Sequence, residues 1–141
     1  IDCDGTAKAT NFTTNGSDTF DYEEGTFTGT LSPTDNTLDY TGTCYYTKIG
    51  KNVTLHIPSL YTNTDGTYVD QKITGLPSNL RPARVQRCVA RIYGNDSSYT
   101  SEHEAGILQV NTTGDIYIVP FDGYLHDYYG TRGSTITYSL Q

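Results

Sequence analysis

The chain has 141 residues and a formal net charge of −7, from nine basic and sixteen acidic residues. This balance argues against a nucleic-acid partner, because phosphate binding requires a basic surface. Apolar residues make up 35% of the chain, and no run approaches the roughly 18 apolar residues of a membrane span. The composition therefore favours a single domain with an appendage and no membrane insertion.

Residues 1–24 are predicted to form a stalk or neck segment. They are rich in Thr and Asn and poor in apolar residues, so alone they could not bury enough surface to offset their ordering entropy. We expect them to be disordered or to form one strand of a multi-chain stalk. The chain lacks Met and begins at Ile1, which predicts a fragment whose missing part is N-terminal.

Residues 25–141 are predicted to form an all-β head. Gly25 suits a sharp change of chain direction, and Thr26–Leu31 reads as the first strand. Apolar and polar residues then alternate with period two, and no segment shows a helical period. This pattern predicts an antiparallel β-sandwich, jelly-roll-like, with polar loops at 59–66 and 94–98 and an irregular loop at 120–134. The later strands are predicted at 41–49, 53–57, 67–73, from Arg81 through Tyr93, 106–111, 115–119 and 135–140.

The three cysteines do not imply a closed set of intrachain disulfides, because their number is odd. Cys44 and Cys88 fall in apolar strand patterns, so we expect buried free thiols in a protein assembled in a reducing compartment. A Cys44–Cys88 disulfide is the alternative. Without a CxxC pair, a zinc site has little support.

Three tyrosine-rich loops have the composition of a glycan-binding site, where aromatic rings stack on sugar C–H surfaces and polar groups bind hydroxyls. In the alternative interpretation, 61–68 and 95–104 are ordinary solvated loops, and the aromatics of 122–129 pack at a trimer interface or cover the core. The candidate ligand-binding residues are Tyr61, Asp65, Tyr68, Tyr99, Glu102, His103, Tyr124, His126, Asp127, Tyr128 and Tyr129.

No metal, cofactor or catalytic site is predicted. Residues 102–104 and 126–127 contain metal-ligand atoms, but adjacent strand residues point to opposite faces. A metal on a trimer axis is the alternative. A glycosidase needs two carboxylates about 5–10 Å apart across a cleft, and nothing in the sequence pairs two of them. Neither a Gly-x-Ser-x-Gly elbow nor a phosphate loop occurs, so we expect the chain not to be an enzyme.

Four motifs resemble the C-terminal part of bacteriophage tail fibre and tail spike proteins. The first, at 21–27, is similar to the Tyr-Glu-Glu-Gly-Thr-aromatic stretch that often precedes the distal domain of such fibres. The others follow in the same order and span most of 21–141. They are Tyr46-Thr47-Lys48-Ile49-Gly50 with Val53-Thr54-Leu55, Ile73-Thr74-Gly75-Leu76-Pro77 with Leu80-Arg81-Pro82, and Gly130-Thr131-Arg132-Gly133 with Ile136-Thr137-Tyr138-Ser139-Leu140.

The resemblance implies a homotrimeric head on a fibrous stalk, carried on the virion and assembled in the host cytoplasm. Such a head attaches the virion to a glycan or protein receptor on the host-cell surface. Receptor-binding parts of these proteins vary greatly, so no ligand identity follows. Two alternatives stay open: the domain only trimerises and caps the fibre, or it is the non-catalytic module of a polysaccharide depolymerase.

Overall fold

The computed structural model describes residues 11–14, 18–33, 39–63, 71–95, 105–121 and 128–141, with the backbone alone at 11–14, 18–21, 33, 62–63, 93–95 and 128–129. These ranges contain antiparallel strands, one 3-10 turn (Ser78–Leu80) and no α-helix, which confirms the predicted fold class. The strands are β1 (Asn11–Thr14), β2 (Asp18–Pro33), β3 (Tyr40–Ile49), β4 (Asn52–Ile57), β5 (Leu60–Asn63), β6 (Gln71–Thr74), β7 (Gln86–Ala90), β8 (Ile92–Asn95), β9 (Gly106–Val110), β10 (Ile116–Pro120), β11 (Tyr128–Thr131) and β12 (Ser134–Ser139).

The larger sheet is rolled so that its two edges meet. Its strand order is β12-β4-β3-β2-β6-β10-β9-β7, and β1 pairs with β2 outside this order. The edge strands β7 and β12 lie side by side. The thiol of Cys88 donates to the carbonyl of Thr137 across this seam at 3.4 Å, and Ser134 Oγ donates to the carbonyl of Arg91 at 2.5 Å. Backbone hydrogen bonds also cross the seam near its two ends, from the Ala83 N–H to the Leu140 carbonyl at 3.3 Å and from the Arg132 N–H to the Arg91 carbonyl at 3.4 Å.

A smaller sheet, in the order β5-β11-β8, extends the wall of the rolled sheet. In the sequence, β5 follows β4, β8 follows β7, and β11 precedes β12. Ile57 pairs with Ser134, and Leu60 pairs with Thr131. The two ladders thus share one register, interrupted by two residues on each strand. On its other side β11 pairs with β8. In the smaller sheet, therefore, a backbone ladder closes the wall.

Thr131 bridges the interruption between the two ladders. Its side chain is fully buried. The hydroxyl donates to the carbonyl of Pro58 at 2.7 Å and accepts from the backbone N–H of Leu60 at 3.2 Å. The Ser59 hydroxyl donates to the carbonyl of Thr131 at 3.2 Å. Side-chain hydroxyls thus replace the ladder bonds that the break removes, as buried backbone groups require.

The core fills the interior of the rolled sheet. Alternate residues of each strand point inward, as the period-two pattern predicted. Each fully buried Leu or Ile side chain stabilises the fold by about 1.5–3 kcal/mol relative to exposure. The buried apolar residues are Phe27, Leu31, Cys44, Val53, Leu55, Ile57, Leu60, Ile73, Leu76, Leu80, Ala90, Ile92, Leu108, Val110, Ile116, Ile118, Ile136 and Tyr138.

The expected turn at Gly25 is wrong, because β2 runs straight through this residue. Gly25 lies opposite Tyr46 in the β2–β3 ladder, and a Cβ atom at Gly25 would come within 2.8–2.9 Å of the Tyr46 ring. The glycine therefore leaves room for the ring to lie across the strand. The Tyr46 hydroxyl then donates to Glu23 Oε1 at 2.8 Å.

Glu23 joins three elements at the surface. Besides Tyr46, it accepts hydrogen bonds from Lys48 Nζ at 3.2 Å and Asn79 Nδ2 at 3.0 Å. The bonds from Tyr46 and Lys48 lower the pKa of the Glu23 carboxyl. The first resembling motif thus ties β2 to β3 and to the 3-10 turn.

The leading segment differs from the sequence expectation where it is described. Residues 11–14 pair with 18–21 as a hairpin within one chain, where disorder or a multi-chain strand was expected. A hairpin satisfies backbone hydrogen bonds locally, without apolar burial. β2 also crosses the predicted 24/25 boundary. The division into stalk and head stays a prediction.

Four predicted boundaries in the head are also wrong. The predicted loops at 59–66 and 120–134 contain β5 and β11, and β8 extends to Asn95. The strand expected from Arg81 starts only at Gln86. β5, β8 and β11 have four residues each, too few to show a clear alternation, so their partners in the sheet decide their conformation.

Cys44 is a buried free thiol, as expected, whereas Cys88 is a free thiol that is only half-buried. Burial raises the pKa of the Cys44 thiol to about 11, and it also raises the pKa of Cys88. Among the described residues, we find neither a helix suited to crossing a membrane nor a cluster of three metal-ligating side chains.

We predict that Thr131→Val lowers the free energy of unfolding by about 1–3 kcal/mol, because the Leu60 N–H and the Pro58 carbonyl lose their partner. Urea unfolding of purified protein measures this change. Thr131→Ser is the control, since it keeps the hydroxyl and loses only a methyl group, at about 1 kcal/mol. Equal losses for the two variants would contradict the bridging role.

Candidate functional site

The rolled sheet has one end closed by short connections, which we call the Gly50 end. It contains the β3–β4 turn at Gly50-Lys51, the β9–β10 turn at 112–114 and the 3-10 turn. Gly50 and Gly114 have φ values of +57° and +92°, which glycine tolerates. Tyr22 pairs with Ile49 here, so the N-terminal hairpin leaves the sheet at the Gly50 end.

The opposite end, which we call the Tyr128 end, brings the borders of the three candidate loops together. Tyr128 pairs with Asn63 on one side and with Asn95 on the other. Neighbouring strands lie about 4.8 Å apart, which places the Asn63 and Asn95 backbones about 10 Å from each other. Within the three candidate loops, β5 ends at Asn63 in 61–68, β8 ends at Asn95 in 95–104, and β11 begins at Tyr128 in 122–129. The strand residues that border the three candidate loops are distant in sequence but lie side by side at this end.

Of the predicted ligand-binding residues, Tyr61 is described in full and is 54% exposed. Tyr128 and Tyr129 are described as backbone and lie on β11, beside β5 and β8. The binding roles of all the candidates stay predictions. The candidates outside the described residues are Asp65, Tyr68, Tyr99, Glu102, His103, Tyr124, His126 and Asp127.

Tyr40 is a further residue at this end that the sequence reasoning missed. Its ring stacks on that of Tyr61, with centroids 6.4 Å apart and planes inclined by 19°. Tyr40 pairs with buried Leu31 in the β2–β3 ladder, yet is 41% exposed because it begins the strand. A signal was present: Tyr40 follows Thr34-Asp35-Asn36-Thr37, which has the composition of the candidate loops.

Close contacts at two glycines set the position of β5, the strand that carries Tyr61. A Cβ atom at Gly42 would lie 2.8 Å from Pro58 Cγ and 2.9 Å from Leu60 Cδ2, so the chain beside β5 packs directly on β3. A Cβ atom at Gly130 would overlap the carbonyl oxygen of Leu60 and lie 2.6 Å from Tyr61 Cα. Glycine at these two positions therefore lets β5 approach β3 and β11.

A groove of about 370 Å³ lies on the seam between β7 and β12. It forms where those strands are joined by side chains rather than by a ladder. Its lining is small and mostly uncharged, with Arg91 as the ionisable side chain among the described lining residues. Those residues are Val89, Ala90, Arg91, Ala105, Gly133, Ser134 and Thr135.

No protein-family model and no curated protein matches the chain. Among solved structures, it is similar to the reovirus attachment protein sigma1 in complex with α-2,3-sialyllactose, with a TM-score of 0.55 and 19% sequence identity. The match covers 84% of this chain and 66% of that chain, so this chain spans just under two thirds of its length. At this identity the likeness shows the fold alone.

We predict that Gly130→Ala separates β5 from β11, because the new methyl group would overlap the backbone of Leu60. The expected loss is about 1–3 kcal/mol of stability, with faster amide hydrogen exchange in both strands. Gly133→Asn is the matched control. Gly133 has φ +64° with open space around its Cβ position, a conformation that Asn tolerates. Unchanged exchange in Gly130→Ala would refute the close contact.

Proposed function

We propose that this chain is the receptor-binding head of a viral attachment fibre and takes its ligand at the Tyr128 end. One observation carries the proposal. The N-terminal hairpin leaves at the Gly50 end, whereas the borders of all three candidate loops lie at the opposite end. Asn11 pairs with Asp21, beside the head, so a stalk joined to the chain before Asn11 would meet the head at the Gly50 end and hold the Tyr128 end away from the virion, facing the host.

The similar solved structure supports this proposal by analogy. That protein is a viral attachment protein, and it was solved with a bound sialylated glycan. A shared fold does not by itself transfer a function. Here the analogy agrees with an independent feature of this chain, the tyrosine-rich composition of the segments bordering one end.

The finer proposal is a bacteriophage tail fibre or tail spike that binds a host-cell glycan. Its support is the order of the four motifs, of which 21–27 has a structural role in the Glu23–Tyr46 contact. The chain would act on the virion after assembly in the host cytoplasm. Its negative charge suits a neutral or weakly charged surface ligand better than a polyanion.

Adsorption of the purified chain to candidate host bacteria tests the proposal. We expect a polyethylene glycol chain attached at Asn63→Cys to abolish adsorption, because it would cover the Tyr128 end. The same polymer at Thr113→Cys, in the turn at the Gly50 end, is expected to leave adsorption intact. Flow cytometry of labelled protein provides the measurement. Loss of binding only in the Thr113 conjugate, or no adsorption to any host, would refute the proposal.

We further propose that the head is a homotrimer. Val89, Ile107 and Val119 form a row across the outer face of β7-β9-β10, and Phe121 lies two residues beyond Val119. Val89 is 72% exposed and Phe121 is 59% exposed. An exposed apolar row of this kind marks a protein contact. A second copy of the chain is a suitable partner because the side chains of the row are uncharged. Two copies with a net charge of −7 each can therefore meet there without bringing acidic side chains of the row together.

We predict that Val89→Asp converts the trimer to a monomer, because it buries a charge in each contact. Light scattering after size-exclusion chromatography measures the mass. Thr43→Asp is the control, since it adds the same charge at an exposed position of β3. A wild-type monomer would contradict the trimer. A trimer that does not adsorb to cells would instead favour the capping-domain alternative.

A further inference from the structure

We propose that the stacked rings of Tyr40 and Tyr61 form a platform for the apolar face of a pyranose sugar. This inference rests on the proposed glycan-binding function and names its site. It places part of the site on strands β3 and β5. Tyr40 lies outside the three loops that the sequence marked.

The geometry of the tyrosine pair leaves ring surface open to a ligand. The ring centroids lie 6.4 Å apart and the planes are within 19° of parallel, an offset-stacked arrangement in which each ring leaves part of its face uncovered by the other. Tyr40 is 41% and Tyr61 54% exposed. Two half-exposed aromatic rings in contact leave apolar area facing water at the Tyr128 end, where the borders of the candidate loops also lie.

The strand that carries Tyr61 is held rigidly. Leu60, the residue before Tyr61, is buried in the core, and its backbone N–H is held by the Thr131 hydroxyl. Gly42 and Gly130 allow the close strand contacts that set the position of β5. Tyr side chains also have few rotatable bonds. A platform held in this way loses little conformational entropy when it binds a ligand.

The exposed area of the platform favours a sugar over a protein as its ligand. A tyrosine buries about 150–250 Å² when fully enclosed, so two half-exposed rings offer about 200 Å². A stable protein contact needs about 800 Å² per partner, several times more. A pyranose matches the smaller area. Its C–H face is apolar, and its outward hydroxyls can meet the phenol groups of the two tyrosines.

The test is NMR of protein with ¹³C-labelled tyrosine rings, titrated with methyl β-galactoside, methyl α-glucoside and α-2,3-sialyllactose. We expect the Tyr40 and Tyr61 ring signals to shift saturably with at least one of these probes. Tyr40→Leu and Tyr61→Leu should each weaken that binding about tenfold. Unchanged core methyl signals would verify that both variants are folded.

Tyr45→Leu is the matched control. Tyr45 lies on the same strand as Tyr40 and is 57% exposed, but it pairs with Thr26 and His56 in the middle of the sheet. It should leave binding unchanged. Failure of all three probes to shift the two rings, or full binding by Tyr40→Leu, would overturn the inference.

The outcomes also separate this inference from the proposed function. Adsorption to cells without any ring shift would reject the platform and leave the attachment function standing. Ring shifts without adsorption to cells would support the platform and reject the attachment function.

Discussion

The hydroxyl of Thr131 joins the two sheets, and the arrangement of the candidate site depends on it. Where β4 continues into β5 and β11 into β12, two residues on each strand leave the ladder. The two hydrogen bonds of this hydroxyl keep the register across that gap. Because the register is kept, Asn63, Tyr128 and Asn95 fall in one row. Segments far apart in the sequence therefore meet at one end.

Close contacts at glycines are a second constraint with the same consequence. At Gly25 the absent side chain makes room for the Tyr46 ring, and at Gly130 it lets β11 approach β5. The first contact ties together the strands at the Gly50 end, through Glu23. The second supports Tyr61 at the Tyr128 end. Close contacts at glycines thus shape both ends of the rolled sheet, and the two ends differ in the side chains that they expose to solvent.

The sequence predicted well those strands whose own residues decide their conformation. The β3–β4 and β9–β10 hairpins alternate clearly because Val53 and Leu55, or Leu108 and Val110, enter the core while their neighbours face solvent. β5 and β11 were missed because each has four residues and is held by strands distant in the chain. A local pattern does not contain that information. Gly25 was misread for a related reason, since glycine signals either a turn or space for a facing ring.

The candidate site was predictable in composition but not in geometry. Tyr61, Tyr128 and their neighbours were chosen as tyrosines in polar loops, and register then placed Tyr61 and Tyr128 on adjoining strands. Tyr40 was overlooked because it begins a strand and faces buried Leu31, a position that usually belongs to the core. Its side chain is instead 41% exposed, and its ring stacks on that of Tyr61. Strand positions at the rim of a rolled sheet can therefore supply rigid ligand contacts, to which variable loops add selectivity.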